Sequence, residues 1–224
     1  MPKPATRFFF GVDTTKRIDR AIDLIDNLPP EKRHHYRPGY SMAELAECWL
    51  AANGRLPRSI ANLAGTDIFE TAHFEYPVKV WGGGTSMTDI MAFIPDDLIA
   101  DEGKARESFD DEVRNWIYKE EAKNPRSPPH RLGVIGQYAK AFGVRTDDLM
   151  ELRYQLLHRT LAAALVARQY RRRKAWMIVQ SFAPFECDEH ARNRADFDRY
   201  AALVGAAPVL EGIPVRLAWV DELV

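Results

Sequence analysis

The chain has 224 residues, 46% of them hydrophobic and 28% charged, and a formal net charge of -1. Such a length and apolar content suit one packed domain of ordinary-to-large size and exclude a disordered chain, while the near-zero charge excludes a globally basic nucleic-acid binder but not a local basic patch. No apolar run approaches membrane-spanning length, and the opening "MPKPATRFFFGVD" has too short an apolar stretch for a signal peptide, so a soluble cytoplasmic protein with no membrane partner is expected.

In chain order, residues 1–40 read as an N-terminal extension packing on a core. They hold a short apolar run (Phe8 to Val12), a helix-like "TTKRIDRAIDLIDNL" and a proline-broken connector "PPEKRHHYRPGY". A helix is predicted from Ser41. Ser41 and Glu44 have the capping-box spacing, and Met42, Leu45, Cys48, Trp49 and Ala52 share one face. Three strands follow, at about 68–81, 87–94 and 98–105, separated by Gly82 to Gly84 and by an Ile-Pro-Asp-Asp segment. From Ser108 to about Ala167 the pattern is helical, broken near "KNPRSPPH". A strand (174–182), a helix (187–205) and a last strand (213–223) complete the chain. This mixed order implies an α/β layer fold, a meander extended by parallel crossovers with helices on both faces. Residues 41–224 then form a single domain. Cys48 and Cys187 match no metal spacing and read as free thiols.

The second and third strands carry the puzzle. If Ile94 to Asp97 form the loop, Phe93 pairs with Leu98, and Asp89 falls opposite Glu102 with β-carbons about 4.5–5.5 Å apart. Lys104 lies two residues on, hence on the same face, together with Met91, Phe93, Leu98 and Ala100. Ile90, Ala92 and Ile99 occupy the other face, so the hairpin is interior. Two facing carboxylates there repel and resist desolvation. A Mg²⁺ ion, which takes one or two carboxylates and keeps waters or phosphates, removes both penalties. Lys104 beside it could orient an attacking water or stabilise charge on a phosphate. The plain alternative is an ion pair between Glu102 and Lys104.

An Asp followed about a dozen residues later by Glu-x-Lys across a hairpin resembles the PD-(D/E)XK nuclease superfamily. Here the matching residues are Asp89, Glu102 and Lys104. The resemblance implies a restriction-endonuclease-like mixed sheet, an αβββαβ core over about 41–182 flanked by helices, with N-terminal and C-terminal additions. It also implies Mg²⁺ (with Mn²⁺ as a substitute) held by Asp89, Glu102 and the Gly103 backbone carbonyl, with Lys104 supporting the water. The implied partner is nucleic acid, DNA ahead of RNA; cutting both strands would need two sites, so a homodimer is also considered. Two departures stand out: Thr88 replaces the motif's proline, and Asp101 sits where an apolar residue is expected. The rival reading is an inactive, nuclease-like nucleic-acid-binding or assembly protein.

Several residues are candidates for support. Glu44 and Glu47 on the first core helix and Glu75 in the strand before the hairpin could lend a carboxylate, although Glu44 also suits the capping box. In the apolar helix near 147–169, Gln155 and Arg159 share a face at four-residue spacing, and Arg153 or Arg159 could meet a phosphate. His158 reads as structural. The run Arg171, Arg172, Arg173, Lys174 could contact a nucleic-acid backbone, but it also ends a helix, where positive charge complements the dipole. Gly82 to Gly84 lack a following Gly-Lys-Ser/Thr and read as a loop at the mouth of the site.

Overall fold

The computed structural model describes residues 7–222. One eight-stranded mixed sheet runs in the order β2-β1-β3-β4-β5-β6-β8-β7. Its strands are β1 (Phe8–Phe10), β2 (Asp13–Arg17), β3 (Thr71–Lys79), β4 (Thr85–Ile94), β5 (Asp97–Lys104), β6 (Lys174–Ser181), β7 (Val209–Leu210) and β8 (Ile213–Asp221). β3, β4 and β5 form the antiparallel meander, and β6 and β8 extend it in parallel. The helices α1 (Ala21–Asn27), α2 (Ser41–Ala51) and α3 (Arg58–Ala64) supply one apolar layer. The opposite layer comes from α4 (Val113–Tyr118), α5 (Ser127–Phe142), α6 (Tyr154–Gln169) and α7 (Asp188–Val204). No helix among the described residues is long and apolar enough to cross a membrane.

The hairpin register is the expected one. Phe93 pairs with Leu98 and Ile90 with Asp101. The ladder runs one pair further, to Ile94 and Asp97, so the loop is only Pro95-Asp96. Proline fixes the first corner, and Asp96 takes the left-handed second at φ 63°. Met91, Phe93, Leu98 and Ala100 face α6, and Ile90, Ala92 and Ile99 face α2.

Three local expectations are corrected. The run from Thr14 is not one helix: its first residues form β2, paired with β1, and α1 begins only at Ala21. Ser41 is not a cap, because Tyr40 holds that position and Glu44 accepts a hydrogen bond from the Gly39 N–H (2.7 Å). Gly82 to Gly84 do not stand at the mouth of the carboxylate cleft; Gly82 and Gly84 line a neighbouring pocket.

Strand alternation also breaks in β3. Phe74 pairs with Ile90 and Tyr76 with Thr88, while Glu75 and Asp89, which lie opposite each other between them, are missing from the ladder. Glu75 stands at φ 51°, a conformation that costs a non-glycine residue about 1–3 kcal/mol. Phe74 packs on the α2 side, yet Tyr76, Val78 and Val80 pack on the α6 side. Residues two apart in an undisturbed strand would share a face. The kink therefore turns the outer halves of β3 and β4 over.

Candidate active site

The floor of the site is the end of the hairpin away from its turn. Glu102 and Lys104 alternate on β5 and emerge on the α6 side, both buried. Gly103 between them has no side chain because α2 lies against it: a β-carbon there would meet the Ser41 carbonyl at 3.1 Å and Leu45 at 3.3 Å. From β4, Asp89 Oδ2 accepts a hydrogen bond from the Gly103 N–H (3.0 Å). A strand residue's N–H and C=O point to the same edge. The Gly103 carbonyl is therefore directed to the β4 side, beyond the last ladder pair, Ile90 and Asp101. Asp89, Glu102 and Lys104 line a cleft of about 490 Å³, along with Glu75, Gln155 and Arg159.

Glu102 is the centre of the network. Its Oε1 accepts from Lys104 Nζ (3.0 Å) and Gln155 Nε2 (2.5 Å), and its Oε2 accepts from Arg159 Nε (2.5 Å). Arg159 Nη2 also stands 3.8 Å from Asp89 Oδ1, and its Nη1 donates to Ser86 Oγ (2.7 Å). Gln155 Oε1 accepts from the Asp110 N–H (3.3 Å). Glu75, turned into the cleft by the kink, faces Lys32 at 3.9 Å.

This arrangement separates the proton affinities of the two carboxylates. Burial, and then the charge of Glu102, push Asp89 well above the usual carboxylate range despite Arg159 and Lys104. Burial pushes Glu102 up too, but Arg159 and Lys104 outweigh it and hold Glu102 low. Burial alone would lower Lys104; Glu102 and Asp89 reverse that and raise it, so it is an ammonium. Glu75 is raised by burial against the pull of Lys32 and Arg159. His158, hydrogen-bonded through Nδ1 to Ser86 Oγ (2.9 Å), is pushed down to about 3 by burial and by Arg159, and stays neutral.

Against known proteins, a family model described as "Domain of unknown function (DUF6946)" matches residues 17–223. The chain belongs to this family. No curated protein and no solved structure matches it. The family match runs through residue 40, and the segment before Ser41 does contribute to the cleft of this DUF6946 domain: Lys32 and Tyr40 line it. The Tyr36 phenol is pushed up, by burial and then by the charges of Glu75 and Asp89.

Of the other candidates, Gln155, Arg159 and Glu75 join the site. Glu47 does not; it is exposed on α2 and lies outside the cleft. Glu44 is engaged with Gly39. Arg153 is held by Asp196 (2.7 Å) and the Asp110 carbonyl (3.4 Å), beside the site rather than in it. The basic run sits at the opposite end of the hairpin, because Lys174 pairs with Asp97. That is seven strand residues, roughly 23 Å, from Lys104. Arg172 binds Glu70 (2.6 Å), Arg173 binds Asp96 (3.0 Å) and Lys174 binds Asp97 (3.1 Å), while Arg171 takes the left-handed turn at φ 56°. Sequence reasoning missed Lys32, Tyr36 and Ser86. Nothing in their local sequence marks them, since a connector and a kinked strand bring them in.

Asp101, on the α2 face, is fully buried. Its Oδ2 accepts from the Trp49 indole N–H (2.8 Å), and burial, against that bond, raises its pKa well above normal. Among the described residues, no three His, Cys, Asp or Glu side chains are grouped to hold a metal ion. The donor chemistry fits a hard cation held by two carboxylates, as Mg²⁺ is held where waters and phosphates complete its shell. In this structure Arg159 supplies the positive charge between them.

Proposed function

We propose that the cleft is the active site of a Mg²⁺-dependent nuclease, a hydrolase of phosphodiester bonds in nucleic acid, DNA ahead of RNA. The observation that supports it best is the convergence of Asp89, Glu102 and Lys104 at one end of the hairpin, on the floor of an open cleft. The succession α2, β3-β4-β5, α6, β6 agrees with a restriction-endonuclease-like core over about 41–182. Asp89 and Glu102, with the Gly103 carbonyl, are the groups that would hold Mg²⁺ or Mn²⁺. When bound, the ion would supply Lewis acidity toward the phosphoryl oxygens and lower the pKa of water.

The chain's own groups then have distinct tasks. Lys104, a buried ammonium, stabilises the charge that develops on the phosphoryl oxygens rather than taking a proton. Arg159, which donates to both Glu102 and Ser86, can turn a donor toward a phosphate. A water attacks phosphorus and its P–O bond forms as the ester P–O bond breaks. Its proton passes to Glu75, the cleft carboxylate not assigned to the ion, and the departing alkoxide takes a proton from water in the open cleft.

The test is hydrolysis of single-stranded DNA, duplex DNA and RNA with Mg²⁺ or Mn²⁺, by wild type and Asp89→Asn. The variant should lose more than ~100-fold, above the range typical for a group one shell away from a metal. The seat of Arg159 between the carboxylates favours a second reading, a non-catalytic nucleic-acid-binding protein with a permanent internal counter-charge. That reading holds if neither cation produces cleavage, and if calorimetry with nucleic acid present gives the same heats for both proteins.

A further inference from the structure

Beside the carboxylate cleft lies a second pocket, of about 450 Å³, whose lining includes the rings of Trp81, Trp116, Tyr154 and His158. Helix α6 separates the two with adjacent pairs of side chains at four-residue spacing: Gln155 and Arg159 face the cleft, and Tyr154 and His158 face the pocket. Trp116 stacks on Tyr154 with ring centroids 3.8 Å apart and planes 16° apart. Arg131 lies 4.9 Å over the Trp116 ring and donates to the Trp116 carbonyl. Trp81, only partly buried, forms another wall, and nothing lies within 4 Å of a β-carbon built on Gly84 at the rim.

The two cavities are wired together. An arginine only donates, so Arg159 Nη1 fills one lone pair of Ser86 Oγ. Ser86 is buried and its one other partner is His158 Nδ1. The hydroxyl proton therefore goes to Nδ1, which makes Nε2 the protonated nitrogen of His158. In that tautomer Nε2–H is the ring donor not engaged by Ser86, on a residue that lines the pocket. A flat wall of aromatic rings, an arginine plane and a fixed ring donor together recognise a planar heterocycle bearing acceptor atoms.

We propose that this pocket takes a nucleobase lifted out of the strand whose phosphate lies in the neighbouring cleft. The substrate is then single-stranded nucleic acid or a duplex with an unpaired nucleotide, because a stacked, paired base cannot enter such a pocket. This inference rests on the reading of the cleft as a phosphodiester site, and it assigns that site its substrate form.

The test separates the two. A 5′-labelled single-stranded DNA dodecamer, the same strand made wholly abasic, and the corresponding duplex are titrated with the protein by anisotropy, in chelator and low salt so that no hydrolysis intervenes. The intact single strand should bind at least tenfold tighter than the abasic strand, which keeps every phosphate, and tighter than the duplex. Trp81→Leu should remove most of that preference; Arg131→Gln, which removes the guanidinium plane, should reduce it. Equal affinities for intact and abasic strands, preference for the duplex, or no binding of any probe would overturn the pocket assignment. Cleavage by wild type together with equal affinities would sink the pocket alone. Base-dependent binding without metal-dependent cleavage would sink the nuclease reading alone.

Discussion

Asp89 and Glu102 face each other across a hairpin, yet they carry opposite liabilities. Glu102 is the partner of two buried cations, Lys104 and Arg159, and of the Gln155 amide. Neutralising it leaves both cations without their nearest counter-charge, and breaking a buried ion pair from one side costs about 3–5 kcal/mol. Asp89 already has a raised proton affinity, so an amide in its place mimics the state that burial favours. In urea unfolding at pH 7, Glu102→Gln should therefore lose about 3 kcal/mol and Asp89→Asn under about 1 kcal/mol. Equal losses would mean that Arg159 leans on both carboxylates alike. The distinction matters for activity measurements, since only Asp89→Asn tests chemistry with the fold preserved.

At the scale of elements, the site depends on how closely α2 approaches β5. Gly103 permits that approach, and Gly103→Ala would bring a β-carbon to 3.1 Å from the Ser41 carbonyl and 3.3 Å from Leu45. Overpacking of this kind costs about 1–3 kcal/mol, or roughly 2–12 °C in Tm for a chain of this size. Calorimetry should show a lower Tm, and an unchanged value would mean that α2 yields freely. Sequence reached much of this scale. Placing the turn at Ile94 to Asp97 put Phe93 opposite Leu98, the register observed, and the near-continuous apolar surface of α6 marked a buried helix. The left-handed Glu75 was not legible, because no local residue preference calls for φ 51° at a glutamate in a strand. Nor was the split of residues 14–28 into β2 and α1, since β2 exists by pairing with β1, a non-local cause. The basic run after α6 stands at the hairpin turn, where Arg172, Arg173 and Lys174 pair with Glu70, Asp96 and Asp97.

For the whole molecule, the buried carboxyls set how stability follows pH. Asp101, Asp89 and Glu75 all have folded pKa values raised above their unfolded ones. A raised carboxyl binds its proton more tightly in the folded state, so its contribution is full below the unfolded pKa, near 4, and is lost as pH rises through the folded value. Glu102, held low, contributes in the opposite sense: its share is present above the unfolded pKa and lost as pH falls through the folded one. The carboxyl share of stability should therefore decline as pH rises from about 4 toward 8, opposed below about 6.5 by His158, which burial holds neutral in the fold and whose own share is lost as pH falls. Urea midpoints across that range check this, and Asp101→Asn, which can still accept the Trp49 hydrogen bond, should flatten the decline. A variant profile parallel to wild type would show that Asp101 is not responsible.

Asp101 and Glu102 are consecutive on β5 and therefore project to opposite sides of one sheet. The charge on Glu102 is among the causes that raise Asp101, so the two layers are electrically joined through a single peptide unit. Whatever alters the charge around Glu102 in the cleft is felt at Asp101, and through it at the Trp49 indole that Asp101 holds. Trp49 thus stands behind the sheet from the cleft, and in a chain whose other four tryptophans are replaced its emission should shift on Glu102→Gln, an optical report on a site it never touches.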